Sequence, residues 1–111
     1  MVVEALVATG AVHLCVPDTV SIQLALDELE KREVTLADGS KRLVPYAGPI
    51  ETAFGNRSCY TGAMVMGDGV LLGAIPTEDM DLVVRPVSQD MVPNPKSPNI
   101  PASVAMGVRY R

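Results

Sequence analysis

The sequence predicts a mostly β domain with one clear helix, in which hairpins build a small closed, barrel-like sheet. A length of 111 residues suits one compact domain. Nine proline and nine glycine residues divide the chain into short segments, which favours strands and turns over a helical bundle. Aromatic residues make up only 4% and tryptophan is absent, so the core must be built from aliphatic side chains.

The N-terminal part predicts two short strands and the main helix. Residues 2–7 and 12–16 are short apolar runs. Pro17 suits the first position of a helix, and the apolar residues after it recur at spacings of three and four. We therefore expect a helix of roughly ten residues within 17–30. The mixed charges at residues 28–33 predict an exposed surface at and beyond its end.

Two hairpins are predicted next. Residues 33–36 alternate polar and apolar side chains, residues 37–40 are a strong turn signal, and residues 43–46 form the return strand. Residues 50–54 and 59–66 lie on either side of a second, glycine-containing turn. Both pairs favour antiparallel strands.

The C-terminal part predicts shorter elements. Residues 70–74 are wholly apolar, as in a strand that is buried on both faces. Residues 75–80 predict a single helical turn with acidic residues in its first turn. Further strands are expected at residues 82–84 and, more weakly, around 91–92.

A proline-rich stretch follows the last predicted strand. Residues 93–101 contain too many prolines for a central strand, so we expect them to run extended over a surface or to be disordered. The predicted organisation is one domain at residues 1–93 and a tail at 94–111, without an internal repeat or a second domain.

Charge and hydropathy exclude several classes of protein. The net charge is −4 and the basic residues form no run, so nucleic-acid binding is not expected. No apolar run approaches the ~20 residues of a membrane span, and the N-terminus lacks the pattern of a signal peptide. We expect a cytoplasmic protein with no membrane partner and no cofactor, in which Cys15 and Cys59 are reduced.

The soft side chains His13, Cys15 and Cys59 are candidates for a metal site and for a Cys–His nucleophile. No spacing among them matches a zinc site. On a strand His13 and Cys15 would lie about 7 Å apart, too far for a direct hydrogen bond. A structural role explains them more simply, and no metal is expected.

The acidic residues Glu78, Asp79 and Asp81 could supply paired carboxylates for acid–base chemistry. Stabilisation of a short helix by acids in its first turn is the simpler interpretation. We favour the helix-dipole interpretation.

Two local motifs remain, and their order and separation are more specific than either alone. The first is apolar-apolar-x-Thr-Gly-Ala at Leu6-Val7-Ala8-Thr9-Gly10-Ala11. The second, some sixty residues later, consists of Leu71, Leu72 and Gly73. A predicted helix follows the first motif, and a hairpin lies between the two.

At these residues the chain resembles the retropepsin-like (retroviral-type) aspartic proteases, particularly small bacterial members, over about residues 4–93. In that family the first motif is Asp-Thr/Ser-Gly-Ala/Ser. Thr9, Gly10 and Ala11 match it, whereas Ala8 occupies the position of the catalytic aspartate. The Leu-Leu-Gly motif matches the family motif that braces the catalytic loop.

The resemblance implies a retropepsin-like closed β-barrel with one main helix and a flap, a hairpin that folds over a bound peptide. Ala37, Asp38, Gly39 and Ser40 are at the tip of the hairpin that matches the flap. Together with Ala11 they are the substrate-binding residues that the resemblance implies.

Peptide hydrolysis by this class, pepsin included, needs two carboxylates that share one proton. A chain with one motif supplies only one of them, so the resemblance implies a C2 homodimer with a peptide or protein substrate. It also implies that Thr9 orients the loop by a hydrogen bond across the dimer, and that Gly10 allows close backbone approach.

The chain departs from the family pattern in two places. Ala8 has no carboxylate, so a homodimer would have neither catalytic group and would be inactive. The family also has a strand before the catalytic one, and only seven residues precede Ala8, so a shortened N-terminus is expected. Ala8 is either an engineered replacement, which we favour, or natural.

Two alternatives to an inactive protease stay open. One is a natural pseudoprotease that binds peptides or partner proteins in the same cleft without cleaving them. The other is a small β-barrel interaction module in which the Thr-Gly turn is only structural. The parental codon at position 8 distinguishes the inactive protease from the pseudoprotease.

Overall fold

The structure, a computed structural model, describes residues 1–7, 10–85, 88 and 90–102, and in them the protein is mostly β. The described elements are two helices and eight strands. In chain order they are β1 (Ala5–Val7), β2 (Leu14–Val16), α1 (Asp18–Gln23), β3 (Asp27–Thr35), β4 (Lys41–Phe54), β5 (Arg57–Val65), β6 (Val70–Leu72), α2 (Ala74–Asp79), β7 (Leu82–Arg85) and β8 (Asp90–Pro93).

The predicted closed barrel is not found in the described part of the chain. Six strands form one sheet in the order β1-β6-β2-β5-β4-β3, and β7 pairs with β8 in a separate two-stranded sheet. Closure would require the edge strands β1 and β3 to pair. Within the described residues, β1 has three residues and pairs only with β6, whereas the charged β3 pairs only with β4, so this sheet stays open.

The two faces of the sheet cover different cores. On one face Leu14, Val16 and Leu72 belong to a cluster that also includes Met80 just after α2, Leu82 of β7 and Met91 of β8. On the other face Cys15, Val44 and Met64 form a smaller cluster against partly buried neighbours from β3 to β6. Side chains alternate between the faces along each strand, so adjacent residues such as Leu14 and Cys15 enter different cores.

Both predicted hairpins are present, and they share one strand. In the first, the backbone N–H of Leu36 donates to the carbonyl of Ser40 over 2.8 Å, and Gly39 takes φ +84°, which glycine tolerates. In the second, Phe54 pairs with Arg57. The sequence predicts separate strands at 43–46 and 50–54, whereas β4 runs through both, with a shift in its pairing to β5 between Ala47 and Ile50.

The main helix is shorter than predicted. α1 covers six residues rather than roughly ten. It ends because Ala25 adopts the left-handed conformation, with φ 53°. The N–H of Ala25 then donates to Ile22 and the N–H of Leu26 to Ser21, the two hydrogen bonds of a Schellman motif.

The charged residues after α1 are exposed as predicted, but they belong to strand β3 rather than to a helix end. Nearly all of β3 is exposed because it is an edge strand. Its charges pair along the surface, with Lys31 2.9 Å from Glu28 and Lys41 of β4 3.7 Å from Glu33. Such charges are a common protection of a sheet edge against pairing with other chains.

Strand β6 and the short helix after it, α2, lie close to their predicted positions. β6 is flanked by β1 and β2, as expected for the apolar run at 70–74. α2 begins at Ala74, and its first turn contains no acidic residue. The helix-dipole interpretation of Glu78 and Asp79 is therefore wrong, because these residues lie at the end of α2.

The predicted strands at 82–84 and 91–92 are β7 and β8, and the two pair with each other. The proline-rich segment after β8 runs over the surface as far as Ala102 and is anchored by side chains. Both described helices have six residues, and no helix in this part of the chain has the length and apolarity needed to cross a membrane.

Candidate functional site

The two sequence motifs lie side by side. β1, which leads into the first motif, pairs in parallel with β6, which carries the second. The register places Leu6 beside Leu71 and Val7 beside Leu72. The end of one motif strand is therefore adjacent to the end of the other, although about sixty residues separate them in the chain.

The segment 10–13 begins with the last two residues of the first motif and is called the site loop below. It is hydrogen-bonded to the start of α2. The N–H of Ala74 donates to Ala11 O over 2.9 Å, and the N–H of Ile75 donates to Val12 O over 2.8 Å. Gly73 fits beneath the loop only because it lacks a side chain, since a Cβ atom there would lie 2.4 Å from His13 O. Gly73 and the first two residues of α2 thus contact the site loop through the backbone.

The predicted catalytic position, Ala8, and its neighbour Thr9 lie outside the described residues. Gly10 is exposed and Ala11 is half-buried. A Cβ atom at Gly10 would have no described atom within 4 Å. The resemblance implies that the backbone of Gly10 lies close to a second protomer, and this stays a prediction.

The predicted substrate-binding tip at residues 37–40 is an exposed turn at the far end of the first hairpin. Asp38 stabilises it, because its Oδ1 accepts hydrogen bonds from the backbone N–H and the hydroxyl of Ser40. These bonds lower the pKa of Asp38. The aromatic contact between the hairpin and the site loop lies at residue 46, well away from the tip.

That contact joins three side chains that the sequence analysis did not single out as a group. The ring of Tyr46 on β4 meets the ring of His13 edge to face, with the centroids 6.0 Å apart. The guanidinium of Arg32 on β3 lies 3.8 Å from the Tyr46 centroid, a cation–π contact. Burial, and then the charge of Arg32, lowers the pKa of His13. The three lie far apart in the chain, so no local pattern predicts them.

A large apolar cavity of about 850 Å³ lies on the opposite face of the sheet, and the sequence analysis did not identify it. Leu14, Val16 and Leu72 contribute to its lining, together with exposed apolar residues such as Leu6 and Phe54. Its lining is mostly aliphatic, as the low aromatic content would suggest.

The soft side chains offer little reactivity. Cys15 and Cys59 are both free and buried. Burial raises the pKa of the Cys15 thiol; burial first, and then the charge of Asp79, raises that of Cys59. A raised pKa disfavours the nucleophilic thiolate. Among the described residues, no three His, Cys, Asp or Glu side chains are grouped so that they could hold a metal ion.

A cluster of hydrogen bonds around Asp81 anchors the proline-rich segment. Asp81 accepts hydrogen bonds from the hydroxyl of Ser97, from Asn94 Nδ2 at 3.1 Å and from the N–H of Ala102 at 3.0 Å. These bonds, with a smaller contribution from the charge of Arg57, lower the pKa of Asp81 to about 2. Asp81 therefore has a structural role as the acceptor that holds the segment.

Arg57 supports the same segment from beneath. Its side chain is 1% exposed, and Nη2 donates to Ser97 O. Nε and Nη1 have no hydrogen-bond partner among the described residues. Burying an arginine with two unpaired donors destabilises the folded state. The hydrogen bond from Arg57 to Ser97 O offsets part of this loss.

Comparisons with protein-family profiles, with curated proteins and with solved structures found no match for this chain.

Proposed function

We propose that the chain is one protomer of a retropepsin-type aspartic protease that is inactive because Ala8 occupies the position of the catalytic aspartate. The observation that carries the proposal is the backbone contact of Gly73 and the start of α2 with the site loop. β1 and β6 are paired in parallel, and Gly73 packs against the backbone of His13. A catalytic loop needs such support, because a carboxylate that activates water must be held in a fixed position.

The proposed reaction requires a homodimer. Each protomer supplies one site loop, and residue 8 of each would lie at the two-fold axis. With aspartate at position 8, two carboxylates would share one proton, so that one activates water and the other polarises the peptide carbonyl. The first hairpin would cover the bound peptide as a flap. The finer proposal for the fold is that of a retropepsin-like protomer with an open sheet.

The test is the substitution Ala8→Asp. The unchanged protein should cleave no peptide at any pH, because its site has no carboxylate to activate water. A dimeric Ala8→Asp protein should cleave peptides from an unbiased library with a bell-shaped pH dependence, since one carboxyl must be ionised and the other protonated. Ala8→Asn is the matched control, because it adds similar volume without an ionisable group, and it should remain inactive.

A binding-only function is the second candidate, and Ala8 itself favours it. A natural pseudoprotease would retain the braced loop and the hairpin and would bind an extended peptide without cleaving it. A folded, dimeric Ala8→Asp protein that cuts nothing from mildly acidic to neutral pH, but still binds peptides, would make this the better account.

A further inference from the structure

The contacts of Tyr46 connect the first hairpin with the site loop. Its ring packs across β5 at Gly62, where a Cβ atom would lie 2.3 Å from ring atom Cζ. His13 meets the ring from the site loop and Arg32 covers it from β3. Three segments of the chain therefore contact one aromatic ring, which is carried by a fourth segment, β4.

His13 is equally constrained on the other side. Its carbonyl oxygen lies against Gly73 and accepts a weak hydrogen bond from the Cys15 thiol over 3.8 Å. The backbone of His13 is thus held by the segment that braces the site loop, while its ring contacts the hairpin. A displacement of the site loop must change the contact with Tyr46.

Arg32 fixes the third side of the ring. Its Nε donates to Glu30 Oε1 over 2.8 Å, and Glu30 is the β3 residue paired with Tyr46. Arg32 thus lies over the Tyr46 ring while bonded to that residue's neighbour across the ladder. From Arg32 the hairpin continues three residues to Thr35, about 10 Å, before its turn. A small rotation at Tyr46 would therefore be amplified at the tip.

We propose that Tyr46 is a positioning residue, which couples the opening of the first hairpin to the conformation of the site loop. The coupling rests on the proposed function in one respect: it takes the hairpin to be the element that covers a bound peptide. A bound peptide that displaces the site loop would move His13, and the contact of His13 with Tyr46 would then change how far the hairpin opens.

The first test is a double-mutant cycle with His13→Ala, Tyr46→Ala and both together. Amide hydrogen exchange at residues 33–43 reports hairpin opening. We expect Tyr46→Ala to accelerate it by about fivefold or more, from the loss of the aromatic and cation–π contacts. His13→Ala should have a smaller effect, and the double variant should exceed Tyr46→Ala only slightly. Additive effects would overturn the coupling.

Two control variants separate coupling from general loss of packing. Tyr46→Phe keeps the ring and should exchange like the unchanged protein. Tyr60→Ala removes another tyrosine of the same sheet, one that is 71% exposed, and should leave the hairpin unchanged. Equal acceleration in Tyr60→Ala and Tyr46→Ala would show that the effect is not specific to the ring that joins the two elements.

The second test remains informative if Tyr46→Ala does not fold. His13 is the only histidine, so its ring gives a single, assignable NMR titration. Arg32→Gln removes the charge on the far side of Tyr46 and should raise the pKa of His13 and shift its ring resonances. An unchanged titration in a folded Arg32→Gln protein would show that Arg32 does not lie close to His13 across the Tyr46 ring, and would overturn the coupling.

The outcomes for the coupling and for the proposed function can be distinguished. If a transition-state-like peptide inhibitor does not bind but the cycle is non-additive, the coupling holds and the protease proposal fails. If the inhibitor binds and slows exchange in the hairpin equally in the unchanged and Tyr46→Ala proteins, the protease proposal survives and the coupling through Tyr46 fails.

Discussion

Gly73 lies so close to His13 that a Cβ atom at position 73 would stand 2.4 Å from the His13 carbonyl oxygen. The contact is between two backbones, so neither side can yield by a change of rotamer. Hydrogen bonds from Ala74 and Ile75 to the site loop fix the same approach. The local geometry of the candidate site therefore depends on the absence of a side chain at one position.

The substitution Gly73→Ala should destabilise the protein by about 1–3 kcal/mol, the usual cost of forcing extra atoms into a packed region. Thermal or urea unfolding measures it. Gly69→Ala is the matched control, because a Cβ atom at Gly69 would meet nothing within 4 Å. Equal stability of the two variants would contradict the close approach.

Acid should weaken the attachment of the proline-rich segment. The pKa of Asp81 falls from 3.8 to about 2 on folding. A lowered carboxyl pKa contributes stability that is complete above the unfolded value and is lost as pH falls through the folded value. The proline-rich segment should therefore detach between about pH 4 and pH 2. Limited proteolysis within residues 94–102 over that pH range measures the detachment.

Asp81→Asn should produce the same release at neutral pH, because an amide is a weaker acceptor than a carboxylate for the three donors. Asp79→Asn is the matched control, since it removes a neighbouring acid at the end of α2 that does not anchor the segment. Cleavage that is equally slow in all three proteins would show that Asp81 is dispensable for attachment.

The tip of the first hairpin should respond to ligand if it is a flap. Residues 37–40 are exposed, so their amides should exchange rapidly in the free protein and become protected when a peptide-like inhibitor binds. Hydrogen exchange with mass spectrometry measures this. The tip of the second hairpin, at Gly55 and Asn56, is the internal reference and should not change. Slow exchange at 37–40 without inhibitor would indicate an ordinary hairpin.

The proposed site also requires a second copy of the chain. At micromolar concentration and above, light scattering should give twice the monomer mass, because one chain supplies only half of the cleft. A monomer throughout that range would count strongly against the protease proposal. Testing the Ala8→Asp protein in parallel shows whether the residue at position 8 alters assembly.

Local turn chemistry made the hairpins predictable. Gly39 and Gly55 both adopt positive φ, and each stands at a turn between two runs of strand-forming residues. The length of α1 was not predictable in the same way. Its end depends on Ala25, and alanine gives no sequence signal for the left-handed conformation that glycine normally supplies.

The charged first part of β3 was not predictable as a strand, for a different reason. Residues from Asp27 to Arg32 lack the alternation of a half-buried strand because both of their faces are largely exposed. The strands that carry the two motifs, β1 and β6, are neighbours in the sheet, although their separation in the chain does not by itself predict this pairing. By contrast, the contact of Tyr46 with His13 and Arg32 depends on three-dimensional pairing that no local spacing encodes.

The shared strand β4 has a consequence for the order of folding. β3, β4 and β5 form a continuous antiparallel meander in which each strand pairs with its neighbour in the chain. Such short loops close at low entropic cost. β1 must instead find β6 across some sixty residues. We expect pulse-labelling to show protection in the meander first. The candidate site would then be the last part of the molecule to fold and the first part to unfold under denaturing conditions.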